Sequence, residues 1–246
     1  MIDDTFAASV AVAPGARGSR WRRAMPLLAV LVVAVAGACA PPARALAGAP
    51  TPALFPPTVV PVAPTILRFT WSYKDDTFEA MGDGAVRRQG PDRARLDFFL
   101  RNGMAGGYAI LVGDSLTVPG IDLVRRVLPP VPLLWASLGR LAVPATSDTV
   151  ARLDGDTLRA DLGALRGRDA SDADGRAWRV AFTGGNLARV ERIEGGKVIE
   201  WMTRTPGEDG ALRLQYVHER GRRRLAIAVS DTTIVEGFDD AIWRRR

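Results

Sequence analysis

Ile66-Leu-Arg-Phe-Thr-Trp-Ser-Tyr-Lys74 changes side with every residue. Leu67, Phe69, Trp71 and Tyr73 fall on one side and Arg68, Thr70, Ser72 and Lys74 on the other. A period of two with one apolar face is the pattern of a half-buried strand. Arg93-Ala-Arg-Leu-Asp-Phe-Phe-Leu-Arg101 repeats it, with Ala94, Leu96, Phe98 and Leu100 expected inward. Further segments of the same kind follow: Tyr108, Ile110 and Val112; Ser115 to Val118; Trp178, Val180 and Phe182; Ala188 to Ile193; Lys197 to Arg204; Leu212 to Glu219; Leu225 to Val229; and Thr232 to Gly237. Between them stand turn residues, at Asp75-Asp76, Gly90-Pro91-Asp92, Gly184-Gly185-Asn186, Gly195-Gly196, Gly207 to Gly210 and Arg220-Gly221. Short alternating strands joined by such turns predict a large antiparallel meander with one wet face and one buried face.

The period changes once. Ile121, Val124 and Leu128 recur at helical spacing, and after Pro129-Pro130 so do Leu134, Leu138 and Leu141. Pro132 falls in the first turn of the second segment, where its missing donor costs nothing. Two short amphipathic helices inside a sheet protein suit a sheet that curls without closing and needs a cover over its apolar face. Residues 164–174 are polar and glycine-bearing and are expected as a surface loop.

Ala40 to Pro64 carries eight of the seventeen prolines. That density excludes a useful helix. The segment is expected as an extended, semi-rigid tether reaching about 75 Å at roughly 3.1 Å per residue. Before it, Arg20, Arg22 and Arg23 precede fifteen uncharged residues, Ala24 to Ala38, and then the single cysteine, Cys39. A basic start, a short apolar run and a small-residue exit are the parts of an export signal, and the run is shorter than the roughly 20 residues of a membrane span. Ala36-Gly37-Ala38-Cys39 resembles the bacterial lipobox, with Ala36 where leucine is usual. The resemblance implies that Cys39 becomes an acylated mature N-terminus that anchors the chain to membrane lipid. The expected organisation is therefore a lipoprotein signal peptide at 1–39, a Pro/Ala-rich tether at 40–64 and a β domain at 65–246.

The formal charge of +6 falls to +4 without residues 1–39, which hold four arginines and two aspartates. With Cys39 used as an anchor no cysteine remains for a disulfide, so the fold has to rest on packing. The basic clusters Arg220 to Arg224 and Arg244 to Arg246 read as a solvated turn and a chain end, and no nucleic-acid partner is expected. One histidine and no spare cysteine leave no zinc spacing, and no metal or other cofactor is expected.

Gly113-Asp114-Ser115-Leu116, at the end of an apolar strand, resembles the opening block of the GDSL (SGNH) esterases, which would make Ser115 a nucleophile. A serine nucleophile needs a base within hydrogen-bond reach and a group to orient that base. The lone His218 has Gln215 where the family places aspartate, and Gly184-Gly185-Asn186-Leu187 lacks the final residue of the family's Gly-x-Asn-Asp block. The same letters also make a hairpin, in which Gly113-Asp114 is the turn. The chain is read as a non-enzyme, with the Ser115 esterase kept as an alternative.

The order of elements resembles the LolA/LolB-like lipoprotein group over roughly Leu67 to Trp243. It runs from a strand pair into Pro91-Asp-Arg-Ala-Arg-Leu96, a glycine-rich hairpin at Asn102 to Gly107, and two helices around Leu133-Leu-Trp-Ala-Ser-Leu138. Trp178-Arg-Val and Leu187-Ala-Arg-Val-Glu191 follow. The resemblance implies a curved, half-open antiparallel sheet or barrel with two short central helices as a lid over an apolar cavity for acyl chains. It also implies that Met104 protrudes from its hairpin as a membrane-contact loop. The family's N-terminal helix is replaced here by the proline segment, so the lid is expected to consist of the central helices alone. The pocket would be lined by Leu67, Phe69, Trp71, Leu96, Phe98, Leu100, Ile110, Val112, Trp178, Val180 and Phe182, with Val124, Leu134, Leu138 and Leu141 as lid. The expected function is binding of a lipid or a lipoprotein acyl chain by a monomeric envelope lipoprotein. Ala40 in place of aspartate after Cys39 points by the same analogy to the outer membrane, facing the periplasm. A structural lipoprotein without a ligand is the other alternative.

Overall fold

The structure, a computed structural model, describes residues 41–101, 106–120, 122–143, 148–163 and 176–244. The signal segment, Cys39, Met104 and the 164–174 loop lie outside the described residues. All the described residues belong to one compact unit, Ala40–Arg246.

Among the described residues thirteen strands form one antiparallel sheet: β1 (Ala49–Thr51), β2 (Thr65–Lys74), β3 (Glu79–Gln89), β4 (Arg93–Leu100), β5 (Gly107–Val112), β6 (Ser115–Thr117), β7 (Thr149–Asp154), β8 (Thr157–Leu162), β9 (Arg176–Thr183), β10 (Asn186–Glu194), β11 (Lys197–Pro206), β12 (Leu212–His218) and β13 (Arg223–Ile234). Their order is β1-β7-β8-β9-β10-β11-β12-β13-β2-β3-β4-β5-β6. β1 and β6 are its two edges and do not meet, so the sheet is half-open and not a closed barrel. Each neighbour from β7 to β13 is the next strand in sequence, and β13 then pairs with β2. The chain leaves one edge at β6 and re-enters beside the other at β7. Between them lie helices α1 (Asp122–Val127) and α2 (Val131–Ser137). A connection from edge to edge has to cross a face of the sheet. α1 packs against β5, and α2 against β10 and β11.

β2 follows the alternation, with Thr65, Leu67, Phe69, Trp71 and Tyr73 all buried. β13 is one strand where the sequence suggests two, because a bulge between Val229 and Asp231 shifts its phase. Gly82-Asp83-Gly84 lies within β3. A Cβ at Gly84 would stand 2.3 Å from the Phe69 ring, so the missing side chain is the space that ring occupies.

The expected tether is not one. Residues 41–64 lie along the domain. The Pro41 carbonyl accepts from Val198 N–H at 3.0 Å, and Ala43 N–H donates to Gly196 at 2.8 Å. Ala49–Thr51 pairs with β7 as an edge strand. The Phe55 ring stacks on Phe182, and Val60 is fully buried in the core. Pro61 and Pro64 accept from Gly90 and Val235. Proline cannot donate to a ladder, but its carbonyl accepts and its extended φ suits an edge, so proline density forbids a helix without forbidding attachment. Gly90 touches this strap: a Cβ there would meet the Val60 carbonyl oxygen at 2.9 Å. The cover over the concave face therefore has three parts, the strap, α1 and α2, and the helices alone are not the lid.

Candidate functional site

The inward residues of β2, β3, β4 and β8–β13 form one apolar surface, and the strap and helices close over it. Leu67, Phe69, Trp71, Leu96, Phe98, Val180 and Phe182 are buried in it, and Leu100 and Trp178 pack against it half-buried. Val124, Leu134 and Leu138 face it from the helices, with Leu141 at the margin. Phe98 stands edge-on to both Phe69 and Trp71, with ring centroids 5.6 and 5.5 Å apart.

Ile110 and Val112 belong elsewhere, and the expectation for them is corrected. Leu96 pairs with Ala109 and Ala94 with Leu111, so the inward residues of β5 are Ala109 and Leu111. Ile110 pairs with Arg95 on the opposite face, and Val112 is exposed. The pattern Tyr108-Ala-Ile-Leu-Val112 is apolar throughout, and only the pairing register distinguishes its two phases.

Between the sheet and the end of α2 lies a narrow gap with a cavity volume of about 30 Å³. Of the expected residues, Leu67, Phe69, Leu96 and Leu138 border it. Val86, Leu212, Leu214, Ile227 and Val229 complete the apolar wall. Its polar atoms belong to Ser137, Arg88 and Arg204.

These arginines meet the end of a helix. α2 ends in a Schellman arrangement: Gly139, at φ +91°, donates from N–H to the Ala136 carbonyl, and Arg140 N–H to Trp135, each at 3.0 Å. Two of the last four carbonyls remain, those of Ser137 and Leu138. Arg204 Nη1 donates to the first at 2.5 Å and Arg88 Nη1 to the second at 3.5 Å. Burial, with Arg88 nearby adding to it, pulls Arg204 down to about 10. Burial also lowers Arg88. Sequence pattern singled out neither, although Arg88 continues the inward phase of Val86 and Arg204 that of Met202.

Two further contacts hold the helices. The Trp135 indole N–H donates to the Gly113 carbonyl at 2.8 Å, so the Gly-Asp turn of the esterase-like block is where α2 is fastened. Arg126 of α1 makes two hydrogen bonds of 2.7 Å to the Asp75 carboxylate, which also accepts from Tyr73 Oη at 2.8 Å. Deeper in the sheet, Tyr216 Oη donates to Glu200 at 2.6 Å, and Arg192 stands 2.6 Å from the other Glu200 oxygen. Burial, with Glu200 beside it, raises Tyr216 far above its ordinary value.

The serine–histidine pair of an esterase is not formed. Ser115 lies in edge strand β6 and His218 in β12, six strands away, or roughly 29 Å along the sheet at about 4.8 Å per strand. His218 Nδ1 instead accepts from Gly221 N–H at 2.8 Å. The sheet is antiparallel, not the parallel α/β sheet that the esterase family builds. Among the described residues there is no group of three or more metal-ligating side chains, and no helix is long and apolar enough to cross a membrane.

No family model matches the sequence, and no curated protein matches it. Several solved structures are similar. A LolA superfamily protein of Nitrosomonas europaea is 12% identical, with 76% of this chain and 93% of that chain covered and a TM-score of 0.47. A structure described as an outer membrane lipoprotein-sorting protein domain of Vibrio parahaemolyticus is 8% identical, with 76% and 91% covered and a TM-score of 0.44. A DUF1329 family protein of Desulfovibrio piger is 7% identical, with 74% and 90% covered and a TM-score of 0.40.

Proposed function

We propose that this domain binds an apolar chain, a lipid or the acyl chain of a lipoprotein, between its concave sheet face and the cover of strap and helices. One observation carries the reading: an apolar gap lies between the sheet and the end of α2, a cover joined to the sheet beneath it by side chains and not by strand pairing. Such a cover can part without breaking the sheet, and the narrowness of the gap means that it has to part before a chain enters. We further propose that residues 1–39 direct export and that acylated Cys39 anchors the protein to the outer membrane, facing the periplasm. Lipoprotein or lipid localisation would be the setting. Met104 is the proposed membrane-contact residue.

Extraction of the purified protein and mass spectrometry of the extract test the reading. Lipid is expected in near-stoichiometric amount and is expected to be lost in Phe98→Asp or Trp71→Asp variants that remain folded. Protein that carries no lipid and takes up none from vesicles would sink it. Labelled palmitate incorporated by the wild type and not by Cys39→Ala tests the anchor. The tight packing of the gap favours a second reading, a structural or assembly lipoprotein without a ligand. An apolar fluorophore that gains no emission with the protein would decide for it.

A further inference from the structure

The arginines facing this sheet's interior, or half-buried on its strands, generally come with a carboxylate. Arg179 makes two bonds to Asp161, at 2.6 and 3.0 Å. Arg87 and Arg95 share Asp97, Arg189 has Glu191, and Arg192 has Glu200. Arg88 and Arg204 are different. Among the described residues neither has a carboxylate partner, and the charge beside Arg204 is that of Arg88. Their hydrogen bonds go to two main-chain carbonyls, and Arg88 Nε is buried with no partner. Each guanidinium offers five donors, and among the described residues each has one main-chain carbonyl as acceptor. Two cations side by side against an apolar wall are unfavourable twice over, by desolvation and by mutual repulsion.

A single oxyanion between them would relieve both terms, because the planar fork of arginine matches carboxylate and phosphate oxygens two at a time. The apolar gap opens on the same two side chains, so the ligand that fits has an anionic end and a hydrocarbon remainder. We propose that Arg88 and Arg204 form the receptor for one oxyanion, a carboxylate or phosphate ester, at the end of the apolar chain that the gap takes. This rests on the apolar-chain reading above and adds the chemical class of the ligand.

Calorimetric titration of the full chain with laurate, dodecyl phosphate, 1-dodecanol and inorganic phosphate, each below its aggregation limit, tests it. Laurate and dodecyl phosphate are expected to bind at least ten-fold more tightly than dodecanol, and inorganic phosphate not measurably. Arg88→Met and Arg204→Met are expected to abolish that ten-fold preference while leaving dodecanol binding in place. Arg68→Gln, on the exposed face of β2, is expected to leave it intact. Lysine at either position keeps the charge and loses the fork, and an intermediate preference is expected. The wild-type comparison needs no variant to fold. Laurate and dodecanol binding equally well overturns the oxyanion receptor and leaves the apolar-chain reading standing, whereas no binding by any chain probe removes both. Inorganic phosphate binding as tightly as dodecyl phosphate, and lost in the methionine variants, overturns the amphiphile in favour of a free anion.

Discussion

Phe55 of the proline-rich strap lies nearly parallel to Phe182 of β9, with ring centroids 5.7 Å apart and planes inclined by 22°. This stack fastens to the concave face the part of the strap that follows β1, residues 52–64, which has no sheet pairing. Replacing Phe55 by alanine should cost about 2 kcal/mol, roughly half the loss for a fully buried ring. Hydrogen exchange should speed up in residues 53–60 and not in β9. An unchanged urea midpoint would show that the strap does not depend on this ring.

The Phe69 ring uses the space left by Gly84. Gly84→Val should displace it, with an overpacking cost of about 1–3 kcal/mol. Gly155→Ala is the comparison: nothing lies within 4 Å of a Cβ there, although its φ of +60° adds a backbone cost of its own. If Gly84→Val unfolds at the wild-type denaturant concentration, the close approach does not matter to stability.

Asp75 joins α1 to the turn after β2. Hydrogen bonding from Arg126 is the main reason its carboxyl is held well below the ordinary value of 3.8. The native state therefore binds fewer protons than the unfolded chain as the pH falls below that value. The stabilisation is complete above the unfolded value and is lost as the pH falls towards the lowered native one. The stability difference between wild type and Asp75→Asn should be constant above about pH 5 and shrink between about pH 4 and 2. Urea midpoints taken across that range measure it. A difference that grows with acid contradicts the pairing.

Ser115 lies too far from His218 to be activated by it. Any hydrolysis of p-nitrophenyl butyrate by the purified protein should be equally fast in Ser115→Ala. A loss of most of that activity in the variant would restore the serine as a nucleophile.

Trp135 donates its indole proton to Gly113. Trp135→Phe keeps most of the buried ring and removes that donor, which should cost about 1–2 kcal/mol, the hydrogen bond plus the unsatisfied carbonyl. The urea midpoint reads it, and a midpoint unchanged from wild type would show that the bond does not fasten α2.

Residues close in sequence carried the strands and turns. Leu67, Phe69, Trp71 and Tyr73 alternate because a strand turns each successive side chain to the other face, and Gly195-Gly196 and Gly113-Asp114 are residues that tight turns admit. The half-open sheet with two central helices was legible for that reason, as was the inward set on β2 and β4. Three matters depended on partners distant in the chain. Tyr108 to Val112 is apolar in both phases, and pairing with β4 alone turned Ala109 and Leu111 inward and Ile110 outward. The prolines of 41–64 excluded a helix, but whether their carbonyls met water or the N–H groups of Val198, Gly90 and Val235 was decided by where those strands lay. Arg88 and Arg204 stand 116 positions apart in the chain, and local pattern holds no term for two charges that meet only when β3 and β11 curve towards the same helix end. Sequence periodicity determined which faces exist, and the curvature of the sheet determined what those faces enclose.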